Sequence, residues 1–154
     1  MKKWHWFALS ILIIVCDQAS KYWAGASLTA YKPMPVFPML NFTLAYNTGA
    51  AFSFLNGAGG WHRWFFAGFS LIMSVVLIVW LLRAPSQDRL LCAGISLILG
   101  GAVGNLIDRA FYGYVVDFID VYYQHHHFAT FNIADSAICV GAAFFVLDVL
   151  INRK

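Results

Sequence analysis

The chain has 154 residues, 61% of them apolar and only 11% charged, and its formal net charge is +3. A soluble domain usually carries about 25% charged residues, so this composition excludes a soluble globular protein, a disordered chain and a disulfide-rich mini-protein. The few basic residues lie at the edges of apolar runs and form no stripe, which excludes a nucleic-acid-binding surface. Because the length suits one domain, we expect residues 1–154 to form a single integral-membrane unit.

Four apolar segments predict four transmembrane helices, at about residues 4–24, 64–82, 90–109 and 133–151. At about 1.5 Å per residue, the uncharged run 64–82 extends roughly 28 Å, close to the hydrocarbon thickness of a bilayer. The first segment also resembles a secretory signal, but Val15 stands before Cys16, where such a signal needs a small residue. We therefore expect the N-terminal segment to be a retained helix.

The basic residues predict the orientation of these helices. With four spans both termini lie on one side of the membrane, and the basic residues on that side are Lys2, Lys3, Arg83, Arg89, Arg153 and Lys154. Cytoplasmic loops are enriched in Lys and Arg. We therefore expect both termini to be cytoplasmic and the segments at about 25–62 and 110–132 to face outward.

The first outward segment contains a pattern typical of a strand. Phe42, Leu44 and Tyr46 alternate with polar or small residues. This period of two predicts a short strand over 41–47, within a small sheet on the outer membrane surface.

The acidic residues, all of them Asp, are the costliest side chains in such a sequence. Counting the helical rise from the cytoplasmic ends brings four of them into one layer, in the outer third of the bilayer. These four acids are Asp17, Asp108, Asp117 and Asp135. Asp120 falls in the second outward loop.

Two of these acids have ordinary structural interpretations. Asp17 and Lys21 are spaced i,i+4, so they can pair on one helix face. Asp108 and Arg109 are adjacent at a helix end and do not face each other, so each is expected to contact a different neighbour.

Asp117 and Asp135 have mainly apolar neighbours and no basic residue within four positions. Two carboxyl groups brought together in such a setting cannot both ionise cheaply, so they share a proton. One can then act as a base on water while the other acts as an acid. The alternative is that both carboxyls only hydrogen-bond to backbone.

Other candidate features are weaker. The three consecutive residues His125–His127 cannot all face one metal ion without an unusual backbone, so we assign them to a loop surface. Gly100, Gly101 and Gly104 form a small-residue face, which indicates close helix packing. The cysteines lack metal-ligand spacing.

Five short motifs together resemble one protein family, the type II or lipoprotein signal peptidases, which are aspartic membrane peptidases. In family order, the motifs are Asp17–Lys21, Asn47–Ser53, Gly100–Arg109, Val115–Phe118 and Phe131–Asp135. One short motif would be weak, whereas five in order are specific.

The resemblance implies a fold, an activity and a set of site residues. The fold would be an all-α membrane protein of four transmembrane helices, with a small β-cradle and a short surface helix on the periplasmic face. The enzyme would remove the signal peptide from prolipoproteins, cutting just before a cysteine that carries diacylglycerol. Asp117 and Asp135 would be catalytic. The positions matching the family's substrate and globomycin site are Asn47, Gly101, Asn105, Arg109 and Asn132. Those matching supporting positions are Asp17, Lys21 and Asp108.

The resemblance also implies a location and partners. We expect a multi-pass protein of the bacterial inner membrane, with its active site near the periplasmic face. Its partners would be a prolipoprotein and membrane lipid, and we expect a monomer that needs no metal or organic cofactor.

Two other classes remain as alternatives. A proton- or ion-coupled transporter also uses intramembrane Asp residues, but it predicts inverted repeats and a midplane site. A non-catalytic membrane scaffold leaves the apolar-flanked pair unexplained.

Overall fold

The computed structural model describes residues 3–49 and 61–152 of the chain. Four helices lie within these residues: α1 (Lys3–Ser27), α2 (Trp61–Arg83), α3 (Arg89–Phe111) and α4 (Ile133–Asn152). Each contains one of the predicted helical segments, so the four predicted helices are confirmed as helices. Three stretches, 63–83, 89–111 and 133–151, are long and apolar enough to cross a membrane. In α1 the apolar run is interrupted by Asp17 and Lys21, and its place in a membrane stays a prediction.

The helices pack closely because small residues face one another. A Cβ atom at Gly100 would lie 2.9 Å from the carbonyl oxygen of Ser10 on α1. One at Gly101 would overlap the carbonyl oxygen of Ala134 on α4. The predicted role of these glycines in helix packing is therefore confirmed, and α3 lies between α1 and α4 with both backbones in close contact.

An apolar core fixes the end of the bundle that holds the N-terminus of α1. Its buried members are Trp6, Leu77, Leu81, Ala84, Leu91, Cys92, Ile95 and Leu99. At this end the Lys3 amine donates to the carbonyl oxygens of Leu81, at 2.9 Å, and of Ala84. The start of α1 and the end of α2 therefore lie side by side.

The described strands form one antiparallel sheet in chain order. They are β1 (Met34–Phe37), β2 (Leu40–Asn47), β3 (Val115–Tyr123) and β4 (His126–His127). Strand β2 confirms the strand predicted over 41–47. Residues 28–49 contain strands and turns, while residues 50–60 lie outside the described residues, so the predicted short surface helix is not tested there.

The second outward segment differs from the prediction. Residues 110–132 were expected to form a loop, yet nine of them form strand β3, which pairs with β2. The register places Asp117 opposite Ala45 and Asp120 opposite Asn41. Asp117 and its neighbour Phe118 lie on opposite faces of β3, and both are buried because β3 packs against helices.

Candidate active site

Asp117 lies on β3 and is almost completely buried, with 1% of its surface exposed. Its carboxyl oxygens accept hydrogen bonds from two side-chain amides. The Nδ2 atom of Asn132 is 2.8 Å from Oδ1, and the Nδ2 atom of Asn47 is 3.0 Å from Oδ2. The strand pairing explains this arrangement, since Asn47 is the last residue of β2 and pairs with Val115, two positions before Asp117 on the same face of the sheet.

Asp135 lies in the first turn of α4, where Asn132 caps the helix. The Oδ1 atom of Asn132 accepts from the backbone N–H of Asp135 at 2.9 Å. In return, Oδ2 of Asp135 accepts from the backbone N–H of Asn132 at 3.3 Å. This is the reciprocal geometry of a capping box, with Asn and Asp in its two places. The other carboxyl oxygen accepts from Asn105 Nδ2 at 2.8 Å.

Asn132 therefore connects the two carboxyl groups, because it binds Asp117 through its side chain and Asp135 through its backbone. Among the described residues, neither carboxyl group forms a salt bridge. Burial, and next the charge of Asp135, raise the pKa of Asp117 to about 7, although amide hydrogen bonds partly oppose the shift. Asp117 can thus hold or release a proton near neutral pH.

A buried ion cluster lies next to this pair and is connected to it through Asn105. The Lys21 amine lies 2.7 Å from Asp17 Oδ2 and 2.9 Å from Asp108 Oδ2, and it donates to Asn105 Oδ1 at 3.0 Å. The predicted pairing of Asp17 with Lys21 is confirmed. Gln18, which sequence reasoning did not single out, donates to Asp17 at 3.2 Å and to Asp108 at 2.9 Å. The sequence signal that could have identified Gln18 is its position inside the first motif, Asp17–Lys21.

Asp108 and Arg109 contact different neighbours, as their adjacency predicted. Asp108 Oδ2 accepts from the backbone N–H of Val116 at 3.0 Å, which joins the end of α3 to β3. The Arg109 guanidinium donates to the carbonyl oxygen of Asn105 at 3.4 Å and lies 5.6 Å from the centre of the Phe66 ring. The four acids of the predicted layer therefore converge on one hydrogen-bonded region.

Asp117 and Arg109 line a cavity of about 500 Å³. Its other lining residues are Ala45, Tyr46, Asn47, Thr48, Gly49, Phe66, Ala129 and Thr130. A second cavity, of about 510 Å³, contains Tyr46 and Val116 in its lining but not Asp117, and Asp135 lines neither of these two cavities. The first cavity is therefore the one that can present a substrate to Asp117.

The remaining predicted site residues have mixed outcomes. Gly101 lies at the contact between α3 and α4, so a direct role in binding stays a prediction. Of the second motif, residues 47–49 are described, and residues 50–53 lie outside the described residues. Among the described residues, no group of His, Cys, Asp or Glu could hold a metal ion.

Asp120 was assigned to a loop, and this was wrong. It is buried on β3, where it accepts from Asn41 at 3.3 Å, from Thr43 at 2.9 Å and pairs with His127 Nδ1 at 2.8 Å. Burial alone would raise its pKa, but these hydrogen bonds outweigh burial and lower the pKa. The histidine run is exposed, as predicted, but it is not all loop, since His126 and His127 form strand β4 and His127 has this structural partner.

These observations define a class: a helical membrane protein in which a buried carboxyl group and a partly buried one, bridged by amides beside a cavity, are suited to acid–base hydrolysis. Comparisons with known proteins make the class specific. Residues 9–151 match the family model described as signal peptidase (SPase) II. The chain therefore belongs to the signal peptidase II family.

Similar proteins agree over nearly the whole chain. The lipoprotein signal peptidase of Acinetobacter baylyi is 53% identical over 149 residues, covering 97% of this chain and 83% of the relative. That of Coxiella burnetii is 51% identical over 151 residues, covering 98% of this chain and 93% of the relative. A solved bacterial membrane enzyme, determined by the in meso method at 1.9 Å resolution, superposes with a TM-score of 0.85 at 30% identity, over 96% of this chain and 94% of that chain.

The chain is thus a bacterial membrane protein and a protease. The expected family and enzyme class are confirmed, and the transporter hypothesis has no support from these relatives.

Proposed function

We propose that this protease removes the signal peptide from prolipoproteins by cutting just before a cysteine that carries diacylglycerol, with Asp117 and Asp135 as the catalytic pair. The observation that carries the proposal is the amide bridge of Asn132 between two carboxyl groups that lack a cationic partner among the described residues. The names of the relatives support the choice of substrate.

In the proposed reaction, one carboxylate removes a proton from water as the water oxygen attacks the scissile carbonyl carbon. The other carboxyl group donates its proton to the carbonyl oxygen. When the tetrahedral intermediate collapses, the C–N bond breaks and the leaving nitrogen takes a proton from the pair. This chemistry needs no metal or organic cofactor.

The cavity beside Asp117 supports a role for Asn47 and Arg109 in holding polar groups of the substrate, since both line it. Asn105 and Asn132 touch the carboxyl pair directly, so their contribution to binding includes keeping the pair in place. Gly101 would contribute by allowing α3 and α4 to approach closely.

We also propose that all four helices span the bacterial inner membrane as a single monomeric domain. Lys3 binds the end of α2, and Arg83 and Arg89 flank the turn between α2 and α3, so basic residues gather at one end. This favours cytoplasmic termini by the positive-inside rule. The carboxyl pair lies towards the other end, near the end of α3 and the start of α4, which supports a periplasmic active site next to membrane lipid.

The test uses purified protein and a lipidated precursor peptide, with a chelator present. Asp117→Asn and Asp135→Asn should each insert and fold but leave the precursor uncleaved, because each removes one member of the acid–base pair. Asp88→Asn is the matched control, since Asp88 only caps α3 at the opposite end and Asn keeps that cap.

Normal cleavage by either pair variant would remove that residue from the proposed mechanism. Loss of cleavage with the chelator alone would indicate a metal-dependent peptidase instead.

A further inference from the structure

We infer that the two carboxyl groups have different protonation states before the substrate binds: Asp135 is ionised and Asp117 carries the proton. Asn105, which donates to Asp135, is the positioning residue that favours this difference. The inference rests on the proposed function, in which these two groups form the catalytic pair.

The surroundings of Asp135 favour a negative charge. It lies in the first turn of α4, where the aligned peptide dipoles carry partial positive charge. The capping box directs the backbone N–H of Asn132 at its Oδ2 atom. Asp135 is also only partly buried, so water can solvate the charge better than at Asp117.

The orientation of the Asn105 amide is fixed by its own partners. Its Oδ1 atom accepts from the Lys21 amine at 3.0 Å and from Asn132 Nδ2 at 3.2 Å. An amide has one oxygen and one NH2 group, so two donors at the oxygen leave the NH2 group for Asp135. It donates there at 2.8 Å. Lys21 thus acts on Asp135 through Asn105, although the lysine does not touch the carboxyl group.

The surroundings of Asp117 favour the neutral form. It is 1% exposed and lies on a strand, which lacks the large dipole of a helix end. The nearby charge of Asp135 adds to the cost of ionising it. Two amides donate to Asp117, from Asn47 and Asn132, and these contacts hold the group in place without removing that cost.

The other charged groups packed around the pair do not reverse the difference. They are Asp17 and Lys21 on α1, Arg63 on α2, and Asp108 and Arg109 on α3. Lys21 pairs directly with Asp17 and Asp108. Arg63 donates to the carbonyl oxygen of Arg109 at 3.0 Å. The Arg109 guanidinium donates to the carbonyl oxygen of Asn105 at 3.4 Å.

The assignment gives each residue one role in each half of the reaction. Asp135 takes a proton from water as the oxygen attacks, and Asp117 gives its proton to the carbonyl oxygen. In the collapse, Asp117 takes a proton back from the intermediate, while Asp135 gives its proton to the leaving nitrogen. The C–N bond breaks, a new carboxyl group and a new amine form, and both residues return to their starting states.

The test compares two substitutions that each remove one amide donor from one carboxyl group. Asn105→Ala removes the donor to Asp135, and Asn47→Ala removes the donor to Asp117. The readout is the pH dependence of kcat/KM for a lipidated precursor peptide, whose limbs report the free enzyme. Thr43→Val is the control, since Thr43 lies on the same strand as Asn47 but donates to Asp120.

We expect Asn105→Ala to move the acidic limb to higher pH, because the base loses a donor that stabilises its ionised form. We expect Asn47→Ala to move the alkaline limb to higher pH, because the acid then keeps its proton longer. Each shift should be roughly one pH unit, whatever the change in the maximal rate. The control should move neither limb. The inference would be overturned if Asn105→Ala moved the alkaline limb and Asn47→Ala the acidic limb. It would also be overturned if both substitutions moved the same limb, or if neither limb moved.

A second readout does not depend on activity. With ¹³C at the Asp side-chain carboxyl carbons, NMR should detect a group that titrates near pH 7 in the wild-type protein. That signal should be lost in Asp117→Asn and remain, with a lower midpoint, in Asp135→Asn. If the signal instead remains in Asp117→Asn and is lost in Asp135→Asn, the assignment of the proton to Asp117 is wrong. This result would hold even if both variants are inactive, so the protonation assignment can fail while the proposed function stands.

Discussion

Lys21 lies at the centre of the buried ion cluster, and its replacement by methionine tests how much that cluster stabilises the helices. The side chain is 4% exposed, and its partners Asp17 and Asp108 are 0% and 1% exposed. Methionine fills similar space but removes the cation. Asp17 and Asp108 would then share one buried site without the positive charge of Lys21.

The magnitude follows from the contacts that remain. Breaking a buried ion pair costs about 3–5 kcal/mol, because it leaves uncompensated charge. Asp17 would keep the backbone N–H of Ala134 at 2.8 Å, and Asp108 would keep that of Val116 at 3.0 Å, so the lower half of this range applies. For a chain of this size the lower half, about 3–4 kcal/mol, corresponds to a fall in the unfolding midpoint of roughly 6–16 °C.

The assay is thermal unfolding in detergent micelles, followed by tryptophan fluorescence. Lys32→Met is the matched control, since Lys32 is exposed just before β1 and its loss should leave the midpoint unchanged. Adding Asp108→Asn to Lys21→Met removes one of the two stranded charges and should restore part of the loss. If Lys21→Met unfolds within about 2 °C of the wild-type protein, the cluster does not stabilise the fold and the reasoning is refuted.

Three further predictions concern packing, pH and a helix end. Gly101→Ala should destabilise the protein by about 1–3 kcal/mol, because the new methyl group overlaps the Ala134 carbonyl oxygen. Gly68→Ala is the control and should not destabilise the protein, because a Cβ atom there has nothing within 4 Å. Equal unfolding midpoints for the two variants would contradict this prediction. The raised folded-state pKa of Asp117, about 7 against 3.8, gives stability that is present below pH 4 and lost as the pH rises through 7. As the pH rises from 4 to 8, the unfolding temperature of the wild-type protein should therefore decrease relative to that of Asp117→Asn. A difference between the two proteins that does not change with pH would contradict this prediction. Asp88→Ala should cost about 1 kcal/mol by removing the cap of α3, while Asp88→Asn should unfold as the wild-type protein does.

Much of the fold could be predicted because its signals are local. Helix length and apolar character depend on consecutive residues, and the alternation over 41–47 marks β2 directly. The spacing of Asp17 and Lys21 predicts their pairing, because residues four apart share a helix face. Strand β3 was missed because its residues do not alternate between apolar and polar, and residues on both of its faces are buried near Asp117 and Phe118.

The sequence by itself determined the family, through five motifs in order, and the positions of the apolar helices. Only the tertiary structure decided which oxygens and nitrogens meet at the site. Asp117 reaches Asn47 through strand pairing, and Asn105 reaches Asp135 through packing of α3 on α4. Such contacts depend on strand register and helix approach, which arise from the whole packed chain. No local period in the sequence records them, and so the difference between the two carboxyl groups emerges only in three dimensions.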